Sequence, residues 1–515
     1  MEIPAESKVH ILIHCPQCRG DIEFLEEAQV IHCRFCGTDL LVAGRKGVLR
    51  YVISPLVSEE KKARLLAQEH LLKSGKRSPR AGEATLFYAP FWRMQGTVFR
   101  WVFGSKLMKD PMRRLGISIS IRVGSEPGGE EATVSTPPPK ERGKVLLSRV
   151  LDHTIPGYGG LELGLSTIGI RAQALRLQTF SREHLEMRES FLPLEVSLEK
   201  AQADAKWFSN LFFEDKDWIP EVTLQRIVGL RFSVIYFPLW YVNCTHEGGR
   251  EILLLDAVAQ SPVQTIPDGE PILNRLRGND TRKSFQFSEL RFLPFRCPNC
   301  GWAFPFRPLS ILHFCPTCRH LFGEKEGEWA ELAYSVIPSE KAPPPKNALW
   351  VPFWRCRTRL ESSGERMETM ADLYRLAPPP RVVDRNRESR RPIYFYIPAV
   401  KFRNPQAIQN LGSRLTFVQP DLNLGSFEDG SHPLTAGGSL GVEDAQDLGL
   451  MILGALIPWA NRKAHAWVQK CRVELQDPQI LYFPFSRVDL FWKELTTGIS
   501  FQHNAFSEDL AEPQR

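Results

Sequence analysis

Four Cys-x-x-Cys pairs constrain this chain more than any other feature in it. Cys15 and Cys18 are followed, after fourteen residues, by Cys33 and Cys36; Cys297 and Cys300 are followed, again after fourteen, by Cys315 and Cys318. The two-residue gap folds a tight knuckle whose backbone amides point at the sulfurs. Two such knuckles complete a tetrahedron of thiolates around one ion, with Zn–S near 2.3 Å. The spacing therefore predicts two zinc ribbons holding two structural Zn²⁺ ions. Each spacer carries apolar residues (Ile22, Phe24 and Ile31; Phe306, Leu309 and Ile311) suited to a short hairpin with a knuckle at either end. A dithiol redox centre uses one pair, not two at ribbon spacing, and an iron–sulfur cluster is the other metal reading. Catalytic zinc needs an open position, which four thiolates close. His14, His32, His313 and His320 flank the ligands and read as packing or hydrogen-bonding neighbours.

The remaining cysteines bear on compartment. The total of 11 is odd, and Cys244, Cys356 and Cys471 stand alone; that is a poor disulfide framework and a good metal pattern for a reducing environment. Met1 to His14 lacks the basic start and long apolar run of a signal peptide. The longest apolar run, Leu448 to Ala460, is too short to span a bilayer and reads as a buried helix. The expected localisation is cytoplasmic. The formal charge of +6 falls to +2 once each ion with its four thiolates is counted as −2, which weakens a nucleic-acid reading based on charge.

At 515 residues the chain is too long for one core, and its landmarks recur in order. Pro90-Phe91-Trp92, Pro137 to Pro139, Ile155-Pro156, Gly169-Ile170-Arg171, Glu199-Lys200-Ala201-Gln202 and Tyr236-Phe237-Pro238 are answered by Pro352-Phe353-Trp354, Pro378 to Pro380, Ile397-Pro398, Gly412-Ser413-Arg414, Glu443-Asp444-Ala445-Gln446 and Tyr482-Phe483-Pro484. From the proline triplet onward the offset is a nearly constant 241 to 246 residues. This reads as an internal duplication. Matching helical stripes support it: Leu198, Ala201, Ala205, Phe208 and Phe212 in one half, Val442, Ala445, Gly449, Ile452 and Leu456 in the other. Ser197 is the expected N-cap of the first. A further helix is expected from Glu59 to about Leu72, capped by Ser58 and stopped at Gly75.

The aromatic-Pro-aromatic segments (Tyr88 to Trp92, Tyr236 to Val242, Trp350 to Trp354, Tyr482 to Phe485) read as strand starts, with their prolines at a sheet edge, a strand entry or a bulge. Their aromatics read first as core, second as an exposed contact row. A hairpin is expected about Glu247-Gly248-Gly249-Arg250. The fold class is α+β: two zinc ribbons plus β-rich hairpin and sheet domains with packed helices, internally duplicated. The expected divisions are ribbon 1 (8–46), a β-rich domain with an inserted helix (47–136), an α+β domain (141–290), ribbon 2 (291–325), a β-rich segment (326–376) and a second α+β domain (392–506). Linkers are expected at Gly124 to Lys140, Pro338 to Asn347 and Ala377 to Pro392, the last rich in arginine, and a frayed tail from Ser507.

A ribbon followed by Tyr51-Val52-Ile53-Ser54-Pro55, a helix opening Ser58-Glu59-Glu60, and Tyr88-Ala89-Pro90-Phe91-Trp92 resembles a group of bacterial zinc-ribbon proteins labelled transcription-factor-type zinc ribbon or primosomal-helicase-like zinc finger. The likeness covers roughly residues 10 to 100 and, more loosely, 230 to 260, with their equivalents in the second half. It implies closed structural zinc, and for some members action with membrane-stress or membrane-scaffold proteins through C-terminal transmembrane helices, for which this chain has no matching segment.

No Walker loop, G-x-S-x-G elbow or H-E-x-x-H helix is present. Gly157-Tyr158-Gly159-Gly160 is a weak phosphate cue, and Cys244 with His246 is the one nucleophile–base nominee. The expected function is a non-catalytic adaptor or scaffold that meets another protein through its ribbons and aromatic-rich β surfaces. The alternatives are nucleic-acid binding through Arg19, Arg34, Arg296, Arg307 and Arg319, and an enzyme with an unrecognised site.

Overall fold

A computed structural model describes residues 9–107, 140–168, 176–180, 184, 190–213, 218–266, 270–277, 285–337, 348–379, 382–402, 405–420, 422–428, 433–458 and 460–502. Strand residues (46%) outnumber helical ones (20%), as an α+β chain dominated by sheet requires. The expected linkers at Gly124 to Lys140 and Pro338 to Asn347, the Gly169 landmark and the tail fall wholly or almost wholly outside the described residues.

The N-terminal half runs β1 (His10–His14), β2 (Asp21–Leu25), β3 (Val30–His32), β4 (Asp39–Ala43), β5 (Leu49–Ile53), α1 (Glu60–Lys73), β6 (Arg80–Leu107), β7 (Lys140–Pro156), β8 (Arg176–Thr179), α2 (Leu198–Asn210), β9 (Trp218–His246), β10 (Gly249–Asp256), β11 (Ser261–Ile266) and α3 (Glu270–Arg277). The C-terminal half runs β12 (Arg291–Pro294), β13 (Leu312–Phe314), β14 (Leu321–Lys325), β15 (Glu328–Leu332), β16 (Tyr334–Val336), β17 (Leu349–Ser362), β18 (Glu365–Met367), α4 (Met370–Leu376), α5 (Arg385–Glu388), β19 (Tyr394–Pro398), α6 (Pro405–Val418), β20 (Leu434–Thr435), α7 (Val442–Leu456), α8 (Arg462–Gln469), β21 (Arg472–Val488), β22 (Phe491–Glu494) and β23 (Ser500–Gln502).

A nine-stranded sheet is built on β9, which pairs along its length with β6 on one side and with β5 and β10 on the other. An eight-stranded sheet is built on β17 and β21. The two halves place their landmarks in one register. Pro90 faces Tyr236 and Pro352 faces Tyr482; Phe91 faces Pro156 and Phe353 faces Pro398. Strand β5 lies parallel to β9 as β16 does to β21. The indole of Trp92 donates to Val196 O (2.8 Å) and that of Trp354 to Leu440 O (2.9 Å), each acceptor two residues before its helix.

Three of the aromatic-Pro segments lie inside long strands instead of at strand starts, which corrects the sequence reading for them; Trp350 to Trp354 does open its strand, β17, which begins at Leu349. Each proline sits one residue beyond the end of a flanking ladder. There its carbonyl still accepts, from Gly157, Ala257, Ala399 or Leu495, and its missing N–H faces no partner strand. The rings of Phe91, Trp92, Tyr236, Phe237, Phe353, Trp354, Tyr482 and Phe483 are buried, so the contact row is interior.

Helix α1 starts at Glu60 with Glu59 as N-cap and no capping side chain, so Ser58 is not its cap; the Glu60 carboxylate instead accepts from the Ala84 amide of β6. Gly75, at φ +79°, follows its end. Ser197 does cap α2, accepting from the Lys200 amide. The hairpin at Glu247-Gly248 joins β9 to β10. The span Ala377 to Pro392 is more than a linker: it holds α5, whose Glu388 is buried against Arg391 (3.3 Å).

The halves interlock. One apolar core runs from Trp101, Phe103 and Leu224 of the first half into α7 and β17 of the second. The Trp101 indole donates to Met451 O (3.2 Å), and the Lys144 ammonium to Ala455 O and Ile457 O.

Candidate metal centres

Cys15 follows β1 and Cys33 follows β3, so ribbon 1 takes its knuckles from the tips of two hairpins, β1–β2 and β3–β4. The expected single hairpin across the spacer does not form: β2 and β3 join different sheets. In ribbon 2, Cys315 and Cys318 occupy the tip of β13–β14, and Cys297 follows β12.

All four knuckles share one backbone design. The amides of Cys15, Cys33, Cys297 and Cys315 donate to the carbonyls of Gly20, Thr38, Trp302 and His320, at 2.8–2.9 Å. Arg19, Gly37, Gly301 and Arg319 donate back to the first cysteine's carbonyl and have φ of 63°, 71°, 74° and 61°. That left-handed position suits glycine; arginine accepts it at a steric cost.

The sulfurs of each quartet lie within 4.8 Å of one another. Cys15 to Cys36 is 3.8 Å, Cys18 to Cys33 3.7 Å, Cys297 to Cys318 3.5 Å and Cys300 to Cys315 3.6 Å. A tetrahedron with 2.3 Å metal–sulfur bonds has edges of about 3.8 Å, whereas a disulfide has sulfurs about 2.05 Å apart. The donor set fits a four-coordinate thiophilic ion. Amides of Asn299 and Cys300 point at the Cys297 sulfur, and those of Thr317 and Cys318 at Cys315. The Thr38 hydroxyl and amide hold the Cys36 thiol down at about 6, whereas, against the Gly20 backbone bond, desolvation and the three neighbouring sulfurs push Cys18 up to about 12. In each pair the first cysteine is buried and the second is more exposed.

None of the four flanking histidines is needed to complete a quartet. His14 and His32 bond Asp21 (2.8 Å) and Asp39 (2.7 Å) on the surface. His313 is buried among Phe295, Phe304 and Trp329, and burial drives its imidazole down to about 3. His320 bonds Cys318 O at 2.8 Å.

The two centres share a core. Strand β12, which leads into ribbon 2, pairs with β4 of ribbon 1, and Val30 and Leu41 pack with Phe295, Cys297, Phe304, Cys315 and Phe322. The amides of Gln29 and Val30 both donate to Pro308 O. Sequence reasoning had no signal for this pairing.

The other nominees are placed as follows. Cys244 is buried in an apolar cluster, its thiol pushed up to about 11 by burial, while His246 bonds Glu251 at 3.4 Å; the two do not form a nucleophile–base pair. Gly157 packs against Leu194 and Pro90, and the Gly159 amide donates to the Glu195 carboxylate (2.7 Å), the place a phosphate oxygen would take. Of the five ribbon arginines, Arg307 and Arg319 bond carbonyls of Thr435 and Glu428, and Arg34 lies over its neighbour Phe35.

The reading also missed a buried ion network. Arg93, fully buried, donates to Asp152 (2.8 Å, through two nitrogens) and Glu26 (2.7 Å), and Gln95 donates to Glu26. Its one sequence signal is a charge directly after the apolar run Leu86 to Trp92. Comparison with protein-family models, curated proteins and solved structures returned no match.

Proposed function

We propose that both quartets hold Zn²⁺ as structural ions, and that the chain is a non-catalytic adaptor or scaffold that meets a protein partner through its ribbon knuckles. The closed, tetrahedrally spaced four-sulfur shell carries this reading: it leaves no coordination position for substrate. The partner surface belongs on the ribbons because the aromatic strands are interior, whereas Phe35 (59% exposed) and Trp302 (62% exposed) stand out at the knuckles. Exposed aromatics beside arginine are the residue types that anchor protein interfaces. The matched registers and indole hydrogen bonds support descent of the halves from one duplicated unit.

A reducing compartment such as the cytoplasm suits cysteines that are all unpaired with one another as disulfides. No helix among the described residues is long and apolar enough to cross a membrane.

The test has two arms. Metal analysis of the purified chain should give two equivalents of zinc. A partner captured by the wild type should be lost from a Phe35→Ala/Trp302→Ala variant that keeps both zincs; retention of that partner would sink the adaptor reading. Salt-sensitive nucleic-acid binding that falls when Arg19, Arg34 and Arg296 become alanine would favour the alternative.

A further inference from the structure

A cavity of about 290 Å³, at the small end of the range of ligand sites, lies where the halves meet. Its walls come from β5, β6, β7 and β9 on one side and from α6 and α7 on the other, with ribbon 1 closing one end. Its existence follows from a bulge. The β6–β9 register slips between Gln95 and Thr97, opposite Gly229, whose φ of +65° suits glycine. The sheet bends there, and α7 bridges the hollow instead of filling it.

The two ends of the cavity differ in chemistry. At the ribbon end, Tyr51 (0% exposed) and Ser233 (5% exposed) line it, and neither hydroxyl has a hydrogen-bond partner among the described residues. Arg45 spends its terminal nitrogens on the carbonyls of Glu26 and Ala28, leaving its buried Nε without a partner. Arg231, also in the lining, has no carboxylate partner among the described residues. The carboxylates present are already engaged: Glu26 by Arg93, Glu27 by Lys401 (3.6 Å), and Asp444 by the Gly441 amide. At the other end Phe99, Leu151, Val228 and Leu448 supply an apolar wall, with Ser148 and the exposed Arg149 of β7 beside it. From Ser233 to Val228 along β9 is about 16 Å at 3.3 Å per residue.

Buried hydroxyls and guanidinium nitrogens left unpaired cost about 1–3 kcal/mol each, and three of them at one end of the hollow, with the exposed Arg231 guanidinium beside them, mark a place for acceptors. We propose that this cleft binds an amphipathic organic anion, its carboxylate or phosphate head on Arg45, Tyr51, Arg231 and Ser233 and its apolar body along Phe99, Val228 and Leu448. Burial raises the Tyr51 phenol, so it stays protonated and donates. Because both halves line the cleft, the ligand ties them together.

Calorimetric titration of the full chain, purified with its metal, tests this with decanoate, decyl phosphate and the uncharged decanol. One of the two anions should bind at least tenfold tighter than decanol, and which one does identifies the head group. Arg231→Ala, at an exposed position, should weaken that anion by about 10-fold or more, the value of a hydrogen bond to a charged group. Tyr51→Phe should also weaken it while leaving the ligand-free chain as stable or more so, since the lost hydroxyl bonds nothing; a structural tyrosine would show the opposite. Equal binding of decanol, failure of both anions to bind, or unchanged affinity in both variants overturns the proposal, and with zinc content intact none of these bears on the ribbons.

Discussion

Arg93 and Arg355 occupy the same place in the two halves, each directly after Pro-Phe-Trp, in strands with the same register. Their surroundings are opposite. Arg93 is fully buried with Glu26 and Asp152. Arg355 lies over the Tyr394 ring (3.5 Å) and reaches Gln479 (2.8 Å) at the surface. The backbone frame dictates where an arginine points; what covers that face decides its energetic role. Both halves bury polar groups elsewhere, Glu388 and Glu494 of the C-terminal half among them, but of this matched pair only Arg93 is buried.

The two ribbons differ in the same sense, and the largest effects are expected there. Cys315→Ser should cost one zinc equivalent and, since structural zinc contributes about 10–16 kcal/mol in small peptides, exceed the margin of an ordinary domain. Cys15→Ser should also remove one zinc, but its sulfur packs into the core of the N-terminal sheet, so ribbon 2 should keep its ion. A Cys315→Ser chain that retains two zincs, or unfolds at the wild-type temperature, would break the account of the centres.

Next in size is the arginine pair. Arg93→Met leaves two carboxylates without their buried cation and should cost about 3–5 kcal/mol. Arg355→Met, which loses an exposed cation–π contact, should cost about 1 kcal/mol or less. Denaturant titration of both variants checks this; equal losses would mean that burial does not separate the two sites.

Asp447 of α7 sharpens the contrast by pH. Its counterpart on α2 is Ala203. Burial, with Asp444 nearby and Arg226 only partly offsetting, raises the Asp447 carboxyl to about 6. The folded chain therefore holds a proton that the unfolded chain has lost between about pH 4 and 6, and wild-type stability falls across that window. Asp447→Ala should remove that fall and gain roughly 1–2 kcal/mol at pH 7, after allowance for partial solvent exposure. Parallel melting curves at pH 4 and 7 would contradict it.

What was legible in the sequence is what is local. Cys-x-x-Cys fixes a knuckle within a few residues, Ser197 announces a helix, and the Leu198 stripe gives its face. Partner choice was not legible. A period of two places Ile11 and Phe24 on a buried face without saying which strand lies beside them, so neither the split of ribbon 1 between two sheets nor the β4–β12 pairing could be read. The prolines misled for the same reason: whether a missing N–H matters depends on where the neighbouring strand stops. The cleft depends on one bulge at Gly96 and Gly229 and on helices some 200 residues away, and its tyrosine looked like any apolar-strand aromatic.

The smallest expected effect separates the halves at their helix starts. Helix α2 uses the Ser197 hydroxyl, which accepts from the Lys200 amide (3.3 Å). Helix α7 has Gly441 there and uses the other arm of a capping box: the Asp444 carboxylate accepts from the Gly441 amide (3.0 Å). Ser197→Ala should therefore cost about 1 kcal/mol. Gly441→Ser should gain a few tenths of a kcal/mol, because its φ of −78° suits serine and the new Cβ meets only the movable end of Glu443 at 3.0 Å. If Ser197→Ala proves neutral, the α2 start is held by packing of Val196 and Leu198 instead, and the two helices differ in more than which arm of the box they kept.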